Sequence, residues 1–184
     1  MLLRKRPETG RQVSNLKLKT CNFIVLKSFI IFLVLLIGIE GYSQAIKKIK
    51  ATELEKTIKE SRTPLIVSFW ATFCVPCIQE IPYLERLVKQ HEKDSIKLLL
   101  VSLDLQEDYV KIRPLASQKK FSSPIVWLNE TNADYFCPKV DSSWSGAIPA
   151  TLFINNKTGY RKFYEEQIKE AQLEKEIMAI LGSR

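Results

Sequence analysis

The sequence predicts an α/β fold in which helices cover both faces of a central mixed β-sheet. Three features predict it: short apolar runs rich in strand-forming residues, intervening stretches with apolar residues at helical spacing, and a hairpin that precedes a last amphipathic helix. Strands separated by helices favour parallel pairing, and a hairpin adds an antiparallel pair. No repeat or second linker follows residue 45, so residues 45–184 are predicted to form one domain.

The first predicted elements are a short helix, a buried strand and a long helix. Thr52 and Glu55 form a capping-box pattern, which predicts the start of the short helix. The apolar run at residues 64–70 is unbroken, as is typical of a strand buried on both faces. The long helix is predicted over residues 77–93, and we expect Pro82 to kink it.

The later elements repeat the alternation of strand and helix. A second buried strand is predicted over residues 96–104, then a polar helix over 106–120 that Pro114 interrupts, and a third strand over 124–129. An irregular stretch leads to a hairpin over residues 150–164. The last helix places four apolar residues on one face: Leu173, Ile177, Ile180 and Leu181.

The basic charge of the chain is concentrated in its first 44 residues. They carry seven basic and two acidic side chains, a net charge of +5 out of +8 for the whole chain. The charge that remains for the other residues is too small and too dispersed for a basic stripe that binds phosphates. The charge pattern therefore argues against nucleic-acid binding.

An apolar run from Ser28 to Ile39 follows this basic leader. Its length matches the ~7–15 residue core of a secretory signal and falls short of the ~20 residues that span a bilayer. We expect residues 1–44 to be a leader and signal peptide, cleaved near Gln44 or Ala45, with an uncleaved membrane anchor as the alternative. In both cases the domain would work in the periplasm or cell envelope.

Cys74 and Cys77 form a Cys-x-x-Cys motif at the predicted junction of the first buried strand and the long helix. In the first turn of a helix, unpaired N–H groups and the positive end of the helix dipole favour a thiolate. Cys74 is therefore predicted to be the attacking sulfur. Cys77 would resolve the mixed disulfide, since two intervening residues bring its sulfur within bonding distance. Pro76 restricts the backbone between them.

Zinc binding and a structural disulfide are the alternatives for this motif. After the leader the chain offers three cysteines and one histidine, His91, which falls at the polar end of a predicted helix, whereas structural zinc needs four ligands. A disulfide in so short a loop constrains the unfolded chain little. We therefore expect a redox-active pair without a metal or other cofactor.

The run FWATFCVPC at residues 69–77, with Ile148-Pro149 far downstream, resembles the thioredoxin superfamily. The resemblance covers residues 52–181. Residues 77–82, together with the export signal, are similar to TlpA/ResA-like cell-envelope thiol–disulfide reductases. The resemblance implies a thioredoxin fold, with a cis-proline loop that faces the two cysteines.

The resemblance also implies roles for individual residues. Pro149 matches the cis-proline, which would leave the backbone of Ile148 free to pair with an extended substrate; the alternative is a proline that merely starts an edge strand. The predicted substrate-binding residues are Ile148 and Pro149 together with Trp70 and Pro76, which lie beside the cysteines in the sequence. Trp70 is expected to be a shield over the site, a core aromatic, or both. Glu80 would be a partly buried carboxylate that carries a proton to the second cysteine, rather than a solvated glutamate.

The sequence departs from the thioredoxin pattern at several positions. Ser68 stands where thioredoxins carry a buried aspartate, which leaves Glu80 or water as the proton carrier. Phe73 and Val75 replace the tryptophan and glycine common around the first cysteine. Cys137 is the odd cysteine of the domain, and we interpret it as a buried, inert thiol; a third redox role and a bond to another chain are the alternatives.

These features predict a thiol–disulfide oxidoreductase that works as a monomer on protein thiols and disulfides. We favour a reductase of disulfides in exported proteins, with apocytochrome c as a candidate substrate and a membrane electron donor that recharges it. One alternative is a dithiol oxidase. Another is a non-enzymatic module that presents its thiols to a metal or haem, although one histidine and two methionines count against copper. Peroxidase activity is the least favoured.

Overall fold

The computed structural model describes residues 46–182, so the predicted leader and signal lie outside the described residues. Six strands and five α-helices alternate along this part of the chain. They are β1 (Lys47–Ile49), α1 (Ala51–Lys59), β2 (Leu65–Trp70), α2 (Val75–Gln90), β3 (Lys97–Ser102), α3 (Tyr109–Lys119), β4 (Ile125–Leu128), α4 (Ala133–Val140), β5 (Ala150–Asn155), β6 (Tyr160–Tyr164) and α5 (Glu170–Leu181). Short 3₁₀ turns at Glu92–Asp94 and Gln106–Asp108 precede β3 and α3.

The strands form one mixed sheet in the order β1-β4-β3-β2-β5-β6. The first four in this order are parallel, whereas β5 is antiparallel to β2 and β6 to β5. In this register Trp70 lies opposite Ser102, and Phe69 lies opposite Ala150. The segments that follow β2 and β3 and the loop that precedes β5 therefore meet at one edge of the sheet.

Strand β2 lies at the centre and is buried on both faces. Side chains alternate between the faces of a strand, so Ile66 and Trp70 join the core under α2, α3 and α5. Val67 and Phe69 join the opposite core, under α1 and α4. The predicted mixed sheet with helices on both faces is confirmed, and the two-sided burial explains the unbroken apolar run.

Two details of the predicted helices are wrong. Helix α1 begins at Ala51 with Lys50 as its N-cap residue, and no side chain caps it, so Thr52 does not form the predicted capping box. Helix α3 runs through Pro114 without interruption. A proline removes the hydrogen bond to the carbonyl four residues earlier, here that of Val110. Val110 is exposed, so water can bond that carbonyl and the helix can continue.

Two short elements were not predicted. The stretch expected to be irregular contains α4. This helix has only eight residues and includes Pro138, so the helical repeat of its apolar residues is too short to recognise in the sequence. The Asn132 side chain accepts a hydrogen bond from the Tyr135 N–H, and this N-cap is the signal that sequence reasoning missed. Strand β1 has three residues and is held by pairing with β4. Within residues 46–182 no helix has the length and apolarity needed to cross a membrane.

Candidate active site

Cys74 and Cys77 lie where β2 gives way to α2, as predicted. A turn closes after β2 because the Cys74 N–H donates to the Ala71 carbonyl at 3.0 Å. Cys74 is then the N-cap residue of α2, and its own carbonyl accepts from the Ile78 N–H at 3.1 Å. The two cysteines are joined by a disulfide, with their Cα atoms 5.3 Å apart. The helix start therefore holds the two sulfurs together.

Both cysteines are buried, and Cys74 is slightly more exposed than Cys77. Cys74 is 6% exposed and Cys77 is 1% exposed. The side chains on either side of Cys74, Phe73 and Val75, are both mostly exposed. A partner protein can therefore approach Cys74 more readily than Cys77, and it would meet an apolar surface there.

The start of α2 stabilises negative charge on Cys74. The Cys77 N–H donates to the Cys74 sulfur at 3.3 Å, and α2 is a helix of 16 residues whose dipole is positive at this end. Both effects favour the thiolate once the disulfide is reduced. Pro76 is half-buried in the first turn, and its carbonyl accepts a hydrogen bond from the Gln167 side chain at 3.4 Å.

The turn between β2 and α2 is fixed by Asp104, which sequence reasoning missed. The buried Asp104 carboxylate accepts from the Thr72 N–H at 3.0 Å and from the Thr72 hydroxyl at 2.5 Å. It also accepts from the Ser102 hydroxyl at 2.7 Å. Asp104 lies two residues after the end of β3, the parallel neighbour of β2, and a polar residue just beyond a buried strand was the signal that could have revealed it.

Glu80 lies one turn after Cys77 on α2 and is 2% exposed. The Ile168 N–H donates to one carboxylate oxygen at 2.6 Å, and the Thr151 hydroxyl donates to the other at 3.3 Å. Burial raises the pKa of Glu80 above its ordinary value, although both hydrogen bonds oppose this rise. The buried position is as expected, while the transfer of a proton to Cys77 stays a prediction.

The peptide bond between Ile148 and Pro149 is cis, as the resemblance implied. Pro149 is buried and Ile148 is half-buried. They directly precede β5, which pairs with β2 beside the end that leads to Cys74. Among the backbone hydrogen bonds of turns and loops in residues 46–182, none involves Ile148. Its backbone is therefore free to bond a substrate, and that role stays a prediction.

Trp70 corrects one part of the predicted substrate-binding set. Its side chain is completely buried, with the ring of Phe121 packed edge-on at 5.6 Å between centroids. A substrate cannot contact a side chain that is sealed from solvent. Trp70 is thus a core aromatic, which is one of the two roles expected for it. Its indole N–H is buried without a hydrogen-bond partner among the described residues.

Cys137 lies in α4 and is a buried, free thiol, as expected. Burial raises the pKa of Cys137 to about 11, and the negative charges of Glu165 and Asp134 add to the rise. A thiol with so high a pKa is a poor nucleophile at neutral pH. Within residues 46–182 no three acidic, histidine or cysteine side chains group closely enough to hold a metal ion.

A model of the AhpC/TSA family matches residues 40–159, more than half of the chain. Among curated proteins, the thioredoxin-like protein CITRX of Arabidopsis thaliana, a chloroplastic protein, is 40% identical over 65 residues, which are 35% of this chain and 34% of that protein. The thiol-disulfide oxidoreductase ResA of Bacillus cereus is 28% identical over 113 residues, 60% of this chain and 59% of ResA. The matched stretch therefore spans about a third to three fifths of these relatives.

Solved structures share the fold. A thioredoxin-related protein from Neisseria meningitidis serogroup B has a TM-score of 0.57 and 25% identity, over 67% of this chain and 88% of that one. A thioredoxin-family thiol:disulfide interchange protein from Chlorobium tepidum TLS has a TM-score of 0.55 and 17% identity, over 70% of this chain and 85% of that one. These similarities confirm the predicted thioredoxin fold.

Proposed function

Because the chain belongs to the AhpC/TSA family, we propose that it catalyses thiol–disulfide exchange through Cys74 and Cys77. The observation that carries the proposal is the position of the pair, with the more exposed of the two cysteines, Cys74, at the N-cap of α2. Thiol–disulfide exchange needs a stabilised, approachable thiolate and a second thiol within reach. The N-terminal end of α2 supports both requirements.

The proposed reaction has two exchange steps. The Cys74 thiolate attacks one sulfur of a substrate disulfide, so the substrate S–S bond breaks and its other sulfur leaves as a thiolate that takes up a proton. The Cys77 thiolate then attacks the Cys74 sulfur and releases the second substrate thiolate, which is also protonated. The substrate is reduced by two electrons, and the Cys74–Cys77 disulfide is formed.

Glu80 is the proposed proton acceptor for Cys77. A thiol must lose its proton before it attacks, and Cys77 is too buried to lose it readily to bulk water. Glu80 is one turn away on the same helix, and the burial that raises its pKa brings it closer to the range where a carboxyl group exchanges protons near neutral pH. Ser68, at the position of the aspartate of thioredoxins, cannot replace it.

Substrate binding is proposed at the loop that ends in Pro149. The free backbone of Ile148 would pair with an extended segment of the substrate, as an added strand pairs with a sheet edge. Exposed Phe73 and Val75 would contact apolar side chains of the same segment. Pro76 would line the site without donating a hydrogen bond.

The proposed biological role is a monomeric reductase of disulfides in exported proteins, with apocytochrome c as a candidate substrate. Residues 1–44 would direct it to the periplasm or cell envelope, where a membrane electron donor would recharge it. Its similarity to the thiol-disulfide oxidoreductase ResA supports the exchange chemistry on which this role depends. A dithiol oxidase uses the same residues in the opposite direction, so the redox potential separates the two functions.

The direction is tested by titrating the purified protein against glutathione and dithiothreitol. A potential near the ~−270 mV of thioredoxin, or lower, would support a reductase, and one near the ~−120 mV of DsbA would indicate an oxidase. Cys137→Ser is the control, and we expect it to leave the potential unchanged. Failure of the pair to cycle between disulfide and dithiol would reject both functions.

The order of the two cysteines is tested by single substitutions. We expect Cys74→Ser to abolish exchange, because no attacking sulfur remains. Cys77→Ser should accumulate a mixed disulfide between Cys74 and substrate, visible on a non-reducing gel or by mass spectrometry, because nothing resolves it. Turnover retained in both variants would contradict the mechanism.

A further inference from the structure

The loop that precedes the cis-proline donates several hydrogen bonds to one carboxylate, that of Glu165. A single oxygen of Glu165 accepts from the Ser145 N–H and the Ala147 N–H, each at 2.9 Å, and also from the Ser145 hydroxyl. Gly146, between them, has φ +99°, a conformation that suits glycine and lets the chain wrap around the carboxylate. We name residues 145–147 the cradle loop.

Glu165 reaches the cradle loop because of the sheet register. Strand β6 ends at Tyr164, which lies opposite Thr151 near the start of β5. The next residue, Glu165, therefore stands beside the residues that lead into β5. No ion pair in residues 46–182 includes Glu165, so its partners there are the N–H and hydroxyl donors of the cradle loop. Burial acts to raise the pKa of Glu165, but these hydrogen bonds outweigh it and hold the pKa below its ordinary value.

Ala147 is fixed at both of its backbone polar groups. Its N–H donates to Glu165, and its carbonyl accepts from the Trp144 indole N–H at 2.9 Å. Trp144 is itself held by aromatic packing, with its ring 4.4 Å from that of Phe69. The backbone of Ile148, the next residue, is not used by the loops of the described chain. The contacts thus hold the residue before Ile148 and leave Ile148 available.

The segment at residues 165–168, which lies between β6 and α5 and begins with Glu165, also contacts the cysteine turn and Glu80. Gln167 bonds the Pro76 carbonyl in the first turn of α2, and the Ile168 N–H bonds Glu80. Residues 165–168 between β6 and α5 therefore join the cradle loop, the cysteine turn and the buried glutamate. A change at Glu165 alters only the first of these contacts.

We propose that Glu165 is a positioning residue that holds the cradle loop so that the backbone of Ile148 can pair with an extended peptide next to Cys74. The inference rests on the proposed thiol–disulfide exchange and goes beyond it, because it makes peptide substrates depend on a residue outside the cysteine helix. A small disulfide has no backbone to pair with Ile148. Discrimination between the two substrate classes is therefore the property that Glu165 controls.

The test compares Glu165→Ala with Glu166→Ala, the adjacent exposed glutamate, as the matched control. Initial rates of the full-length protein are measured on a peptide that contains one disulfide and on bis(2-hydroxyethyl) disulfide. We expect Glu165→Ala to lower kcat/KM for the peptide about tenfold more than for the small disulfide, which is the size of effect that loss of hydrogen bonds to a charged group produces. The loss should appear as a higher KM with little change in kcat.

A second variant separates positioning from general disruption. Glu165→Gln keeps a carbonyl oxygen that can accept from the cradle loop but removes the charge, so its loss on the peptide should be smaller than that of Glu165→Ala. If circular dichroism shows that Glu165→Ala does not fold, Glu165→Gln replaces it in the comparison with Glu166→Ala. Equal losses on both substrates, or the same peptide kinetics in Glu165→Ala and Glu166→Ala, would overturn the inference alone. A wild-type protein that reduces neither substrate would overturn the proposed function as well.

Discussion

Glu80 shows how one buried carboxyl group links stability to pH. Its pKa is raised in the folded protein because burial disfavours the charged form. The unfolded chain gives up this proton near the ordinary value of 4.5, before the folded protein does. The contribution of Glu80 to the free energy of unfolding is therefore fully present below pH 4.5. It is lost as pH rises through the raised pKa of the folded state.

We expect Glu80→Gln to remove this fall, because the amide carries no charge. The free energy of unfolding of the variant minus that of wild type should increase between pH 4 and pH 8, by about 1.4 kcal/mol for each unit by which the pKa is raised. Urea unfolding at several pH values measures it. Glu92→Gln, on the exposed surface, is the control, and parallel curves for wild type and Glu80→Gln would contradict the prediction.

Cys137 is expected to be chemically silent in the folded protein. With a pKa of about 11 and a buried side chain, only about one thiol in a thousand is ionised at pH 8. Reduced protein treated with iodoacetamide at pH 8 should be alkylated at Cys74 well before Cys137, and unfolding in urea should make Cys137 react. Mass spectrometry identifies the modified residue, and rapid alkylation of Cys137 in folded protein would contradict its burial.

At the scale of elements, the turn before α2 depends on a carboxylate from a neighbouring strand end. Asp104 satisfies both the N–H and the hydroxyl of Thr72, and its own carbonyl accepts from the Trp127 indole N–H at 2.6 Å. The backbone that leads to the cysteines is thereby tied to β3 and β4. The turn is shaped by tertiary contacts and not by its own residues alone.

Asp104→Asn should destabilise the protein, because its amide keeps one acceptor oxygen for the N–H and hydroxyl of Thr72, while its N–H₂ group replaces the oxygen that accepts from the Ser102 hydroxyl. Each buried donor left unpaired costs about 1–3 kcal/mol. Urea unfolding at pH 7 measures the loss, and Asp134→Asn, on the exposed side of α4, is the control. A variant as stable as this control would show that the carboxylate does not hold the turn.

For the whole molecule, the two cores share one sheet and should unfold together. Leu54 of α1 is buried on one face of the sheet, and Leu173 of α5 is buried on the other. Because β2 contributes side chains to both cores, loss of either core exposes apolar residues of the same strand. Independent unfolding of one face would leave half of that strand uncovered.

We therefore expect Leu54→Ala and Leu173→Ala each to lower the free energy of unfolding by about 2–5 kcal/mol while a single transition remains. Tryptophan fluorescence and far-ultraviolet circular dichroism should give coincident urea curves for both variants. Met178→Ala, at a side chain 44% exposed, is the control. Two separated transitions in either variant would contradict shared unfolding.

The accuracy of the sequence predictions follows the range of the interactions. Strand β2, the cysteine turn and the final helix were predicted correctly, because each depends on the pattern of neighbouring residues. Helix α4 and strand β1 were missed, because they are too short for periodicity. Asp104 and Glu165 were missed because they bond segments 32 and 20 residues away along the chain, respectively.

Local sequence was enough to specify the alternation of strands and helices and a cysteine pair at a helix start, because apolar periodicity and the N-terminal end of a helix act over a few residues. Contacts between distant segments decided how the turn before Cys74 is held, that Trp70 is sealed inside the core, and that Glu165 meets the loop before Pro149. These features depend on strand order and register, which bring together residues that are far apart in the sequence.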